Sequence, residues 1–139
     1  MALSEAPEQT LMKFLKSKWD QSLMGFCPIF STGWYNAEMD EPQVTVSPGA
    51  VSPRYFVIDS KQREFSELLE VNVWTQDESD RFLMVHHLDE IVQLYRLSPG
   101  TGLSDMETSS WHPLDEPDKG PLFRSRLFVR LRYYKTSNA

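Results

Sequence analysis

The 139-residue sequence holds one cysteine, Cys27, so no disulfide can form within the chain. It lies in the apolar run Phe26-Cys27-Pro28-Ile29-Phe30, which predicts a buried small hydrophobe rather than a reactive thiol. Histidine is also scarce, with three residues. His86 and His87 are neighbours on an expected helix, where successive side chains diverge by about 100°, so they do not readily face one metal ion. Asp89-Glu90 follows the pair without the second histidine that a zinc helix needs, and His112 lies far along the chain. Surface or half-buried histidines are the expectation. The sequence has no Ser in a GxSxG elbow. Ser98-Pro99-Gly100-Thr101-Gly102 lacks the spacing and lysine of a phosphate loop and follows a helix rather than a strand. Glu38-Met39-Asp40-Glu41 and Asp115-Glu116-Pro117-Asp118 lack the alternate ligands and central glycine of a calcium loop. No apolar run approaches the ~20 residues that cross a bilayer. Met1 to Glu8 has neither the basic start nor the apolar stretch of a signal peptide, so synthesis in a cytosol and no membrane contact are expected. The reading is of no enzyme, no catalytic residue, no cofactor and no metal.

What is present fits one α+β domain spanning 1–139. Hydrophobic residues make up 40% and aromatics 12%, enough for a compact core despite nine prolines. Pro7 opens a helix whose stripe runs through Leu11, Phe14, Leu15, Trp19 and Leu23, predicting a helix over about 7–24 that ends at Gly25 and Pro28. Strand patterns follow at 29–35, 43–47, 54–59 and 64–75. In the last of these Leu69, Val71 and Val73 share one face, and Glu70 and Asn72 the other. Thr75-Gln76-Asp77-Glu78 has the form of a capping box before a second helix at about 78–96, with Met84, Val85, Leu88, Ile91, Val92 and Tyr95 as its apolar stripe. Residues 98–121 hold four prolines, three glycines and five acids and read as a long loop, with Trp111 docked on its own domain or on a neighbouring subunit. A final strand at 122–135 completes a mainly antiparallel sheet of four to five strands packed by the two helices.

Charge is distributed unevenly. The net charge is −6, yet from Leu122 to the end there are five bases and no acid, against 13 acids and five bases from Lys61 to Pro121. On the last strand Phe123, Leu127, Val129, Leu131 and Tyr133 alternate with Arg124, Arg126, Phe128, Arg130, Arg132 and Tyr134. The arginine face admits three readings. It can track a nucleic-acid backbone with Phe128 and Tyr134 as stacking platforms. It can pair across strands with Glu67 and Glu70. It can meet an acidic neighbouring subunit. The overall acidity speaks against specific nucleic-acid binding.

The order helix, strands, capped helix, final strand resembles the tail-terminator and tail-completion (neck) proteins of tailed bacterial and archaeal viruses. The residues that carry the resemblance are Pro42-Gln43-Val44-Thr45-Val46, Leu69-Glu70-Val71-Asn72-Val73-Trp74-Thr75 running into the second helix, and Leu127-Phe128-Val129-Arg130-Leu131-Arg132-Tyr133. The resemblance implies a structural virion protein, made in a host cytoplasm. It implies a ring, commonly a homohexamer, at the head–tail junction or tail end, with tail-tube and neck or connector proteins as partners. The long 98–121 segment departs from that pattern. Trp111, Arg124, Arg126, Arg130 and Arg132 are the expected interface residues. The alternatives are an adaptor module that binds protein or nucleic acid, or a small enzyme whose site assembles only in three dimensions.

Overall fold

The computed structural model of the protein describes residues 6–39, 41–48, 54–57, 62–96, 103–113 and 122–136. It is an α+β fold: a mixed sheet with helices against one face. The elements are α1 (Pro7–Lys18), α2 (Gln21–Met24), β1 (Ile29–Thr32), β2 (Gln43–Pro48), β3 (Arg54–Val57), β4 (Gln62–Thr75), α3 (Glu78–Tyr95), β5 (Leu103–Pro113) and β6 (Phe123–Thr136). The sheet order is β1-β2-β4-β6-β5, with β3 also on β4. β2 pairs with the second half of β4 and β3 with the first half, so six strands fill five positions. The short edge strand β1 runs parallel to β2, and the other pairings among the described residues are antiparallel.

β4 and β6 are both 14 residues long and pair along their whole length. Their alternation sorts the sheet into two faces. Leu69, Val71, Val73, Leu127, Val129, Leu131 and Tyr133, joined by Val44, Val46 and Met106, are buried together with Leu11, Phe14 and Leu15 of α1 and Met84, Val85, Leu88, Ile91 and Val92 of α3. The expected helix stripes are thus the core, except that Tyr95 only packs against its edge and Leu23 lies outside it. β6 is interior to the sheet, between β4 and β5.

Four local expectations change. The first helix stops at Lys18 and restarts only as the four-residue α2. Trp19 takes extended dihedrals, its ring packs on Phe26, Phe30 and His87, and its indole N–H donates to the Phe26 carbonyl at 2.7 Å. The next N–H, of Asp20, donates to His87 Nε2 at 3.0 Å instead of continuing the helix. Tertiary contacts of one indole and one imidazole thereby override a continuous helical pattern, and Leu23 ends up exposed.

The segment read as a long loop is mostly β5, an edge strand over 103–113. Register shifts at Leu103/Asp105 and Thr108/Ser110 break the alternation that would have revealed it, as bulges do at sheet edges. Pro113 is tolerated as its last residue. The rest of the expected 98–121 loop lies outside the described residues. The cap of α3 is also shifted. Asp77, not Thr75, accepts from the Ser79 and Asp80 N–H groups, while Thr75 Oγ1 accepts from Asp77 N–H at 3.2 Å. Finally, Cys27 is exposed rather than buried, with its thiol 3.6 Å from the Pro28 carbonyl.

Candidate functional site: the helix-free face of the sheet

On the face away from the helices, the register lines up Gln43, Trp74 and Arg124, then Thr45, Asn72 and Arg126, then Ser47, Glu70 and Phe128. Arg130 and Arg132 continue the row beside Leu68 and Ser66. Four arginines spaced along one strand therefore share a face, as their parity demands. They do not share an environment.

Arg124 is held from every side. Its Nε donates to Asn72 Oδ1 at 2.8 Å and Nη2 to Glu70 Oε1 at 3.3 Å. Its guanidinium lies 4.7 Å from the Trp34 ring and 4.8 Å from the Trp74 ring. Trp74 in turn meets Trp34 edge-on and Tyr35 face-on, each at 5.1 Å, and donates to Thr45 Oγ1. The segment carrying Trp34 and Tyr35 is fastened by Gln43, whose amide donates to the Asn36 carbonyl and accepts from the Asn36 N–H. Gly33, at φ 116°, makes the turn that brings this segment over the sheet. The result is a roofed corner in which Arg124 is buried but neutralised and stacked, the condition under which a buried cation is stable.

Away from that corner the segment of Trp34 and Tyr35 no longer covers the row. Arg126 lies 3.8 Å from the same Glu70 oxygen and stacks on Phe128 at 4.9 Å. Arg130 donates to Ser66 Oγ at 3.2 Å, and Arg132 is exposed and has no ion-pair partner among the described residues. Glu107 of β5 stands in register with Arg130 and Asp105 with Arg132. Glu70 and Glu107 thus stand among the cations. The face is not an unbroken cationic track of the kind that follows a phosphate backbone. It is a surface of flat rings and arginines, the residue types enriched where proteins meet proteins.

Cross-strand pairing with Glu67 and Glu70 was one of the three readings of the arginine face. Glu70 does it, for Arg124 and Arg126. Glu67 does not, because in this register it opposes Leu131 and so belongs to the helix-covered face. There it accepts from the Tyr133 hydroxyl at 3.1 Å, and burial raises its pKa, with Glu8 of α1 adding repulsion. Burial and the adjacent Glu67 carboxylate raise the pKa of the Tyr133 hydroxyl as well. Trp111 lies in β5 in register with Leu127, not with an arginine; its side chain falls outside the described residues. Trp34, Trp74 and Asn72 escaped sequence reasoning as site residues. Trp74 has the parity of Glu70 and Asn72 and could have been assigned to this face; nothing in the sequence marks Trp34.

The histidines are apart in role. His86 is exposed, whereas His87 is buried, against expectation. No group of three or more His, Cys, Asp or Glu among the described residues is placed to hold a metal ion. None of the described helices is long and apolar enough to cross a membrane. Comparison of the sequence with protein-family models gives no match, and neither does comparison with curated proteins.

Proposed function

We propose that the protein is a structural assembly component that forms a ring, of the kind that tail-terminator and tail-completion proteins build at the head–tail junction or tail end of a virion. The observation that carries this reading is the open, arginine- and aromatic-bearing face of the sheet, where Phe128, Arg130 and Arg132 stand clear of the roofed corner beside Arg124. A face of that composition loses water readily at its rings and supplies directional donors at its arginines, so it suits contact with an acidic protein surface. The order of helices and strands supports the same family reading. Tail-tube and neck or connector proteins are the partners it implies, and its contact residues are Arg126, Arg130 and Arg132, with Arg124 and Trp34 shaping the adjoining corner.

Native mass spectrometry and negative-stain imaging of the purified chain test the proposal. The expected outcome is a closed ring whose population falls as salt is raised from about 0.05 M to about 1 M, because exposed charge pairs are screened. A chain that stays monomeric alone and also beside tail-tube and connector proteins would overturn it.

A further inference from the structure

The outer side of the helix layer carries a feature that the open sheet face does not account for. A helix with one face on a core is ordinarily polar on the other. Among the described residues, four of the six exposed large apolar side chains lie on α2 and α3: Leu23, Phe82, Leu83 and Leu94, the last 77% exposed. A groove of about 280 Å³ between the two helices is lined by Leu23, Leu83, His87 and Glu90, among others. Exposed apolar residues gathered around one groove mark a contact site more often than scattered ones do. His87 adds a polar requirement. It is 8% exposed and its Nε2 accepts the Asp20 N–H, so the neutral ring carries its proton on Nδ1. That Nδ1–H has no acceptor among the described residues, and a buried donor in this state calls for one from outside.

The order of residues along α3 selects what can meet these needs together. Leu83, His87, Glu90 and Leu94 are spaced by four, three and four, so they form one seam along the helix. Read backwards, the seam is leucine, acceptor, donor, leucine. A second α3 laid antiparallel sets Leu94 against Leu83 at both ends, and the Glu90 carboxylate against the His87 imidazole twice at the centre. A parallel copy would set acceptor against acceptor and donor against donor. Charges along the rest of the helix favour the same direction. Antiparallel packing brings the acidic first turn, with Glu78 and Asp80, beside the exposed Arg96 of the other copy, and joins opposite ends of the two helix dipoles. Arg81, the base of that first turn, is engaged by Glu78 and the Phe123 ring, and Asp89 accepts from the Thr108 hydroxyl. We propose that two copies of this chain pack α3 against α3 in antiparallel fashion, about a two-fold axis level with Leu88 and Asp89. Leu94 of each copy then extends to the groove wall at Leu83 and Leu23 of the other. The contact is separate from the open sheet face, so it joins copies in pairs whether or not that face closes a ring.

Cysteine trapping reads the direction of this contact whatever the larger assembly. Leu83→Cys and Leu94→Cys are made separately in a Cys27→Ser background, which removes the one native thiol. Both leucines are exposed, so circular dichroism is expected to match the wild type. In the antiparallel pair, position 83 of one copy meets position 94 of the other. Like positions are offset by about 16 Å at 1.5 Å per residue, too far for a disulfide. Under oxidised glutathione, each variant alone is expected to run as a monomer on a denaturing gel, and an equal mixture to give a covalent dimer. Adding Glu90→Lys to both partners is expected to lower the yield roughly tenfold or more. Glu90→Gln, which keeps an oxygen for the His87 Nδ1–H, is expected to retain it. A dimer as abundant from either variant alone as from the mixture, or none from the mixture, would overturn the antiparallel pairing. A yield that Glu90→Lys leaves unchanged would overturn the part assigned to Glu90. The ring is read independently, from native mass and its dependence on salt.

Discussion

The two faces of the sheet are made from the same two strands, yet they follow different physics. On the covered face, Leu69, Val71, Leu127, Val129 and Leu131 are held dry by α1 and α3, so their contribution is burial and close packing. On the open face, the residues between them hold position by named polar and ring contacts, several shared by one carboxylate. One residue's step along β6 therefore changes what a side chain does, from filling a core to presenting a surface. The difference locates function. A fold needs only one packed face, and the other is available for something else.

Neighbouring substitutions give the sharpest contrast. Leu127→Ala removes a side chain 1% exposed and is expected to destabilise the fold by about 2–5 kcal/mol, the range for large-to-small core changes. Phe128, one residue on, is half-buried and stacks on Arg126, so Phe128→Ala is expected to cost no more than ~1 kcal/mol. Urea unfolding of both variants checks this. Equal losses would mean that the open face is as well packed as the core.

Within the open face, the roofed corner and the exposed end differ by a smaller margin. Arg124→Ala strips Asn72 Oδ1 of its donor, halves the cationic company of Glu70 and leaves Trp34 and Trp74 without the guanidinium they contact. A loss of about 1–3 kcal/mol is expected, as for hydrogen bonds to a buried charged group. Arg132→Ala is expected to stay within ~0.5 kcal/mol of wild type, since exposed cations contribute little to folding. If Arg132→Ala instead matched Arg124→Ala, the arginine row would be a uniform structural device and not a graded one.

This division was legible in the sequence in part. The alternation of β6, the apolar stripe of α3 and the parity of β4 are strong periodic signals, because a buried face constrains every second or every third to fourth residue. They gave the α+β fold and the arginine row. The signals failed where tertiary contacts outvoted local pattern. Trp19 and His87 break α1 although its stripe continues to Leu23, and two register shifts erase the period of β5. Glu67 has the parity of Leu69, Val71 and Val73, so the alternation of β4 by itself places it on the covered face, away from the arginines, whatever the register with β6. The roof of Trp34 and Tyr35 depends on a Gln43–Asn36 clasp seven residues apart, for which no local motif exists.

Glu67 gives the finest test of the same comparison, because it is a carboxylate on the face meant for apolar side chains. Burial is the largest cause of its raised pKa. The Tyr133 hydroxyl, which donates to it, pulls the other way, and Glu8 adds a further rise. A folded-state pKa above the ordinary 4.5 means that folding favours the protonated carboxyl. Its stabilising contribution is therefore complete below that ordinary value and is lost as the pH rises through the folded value. At neutral pH the ionised group is a small burden, expressed as a cost of partial desolvation. Glu67→Gln keeps an oxygen for the Tyr133 hydroxyl and removes the charge, so it is expected to raise stability at pH 7 by less than ~1 kcal/mol. The advantage is expected to shrink as the pH falls to about 4, where the wild-type carboxyl takes up its proton. Thermal unfolding of both proteins at the two pH values measures it. A gain from Glu67→Gln that held constant with pH would show that packing, not charge, sets the energy at this position, and the covered face would then tolerate an ionised group as readily as a neutral one.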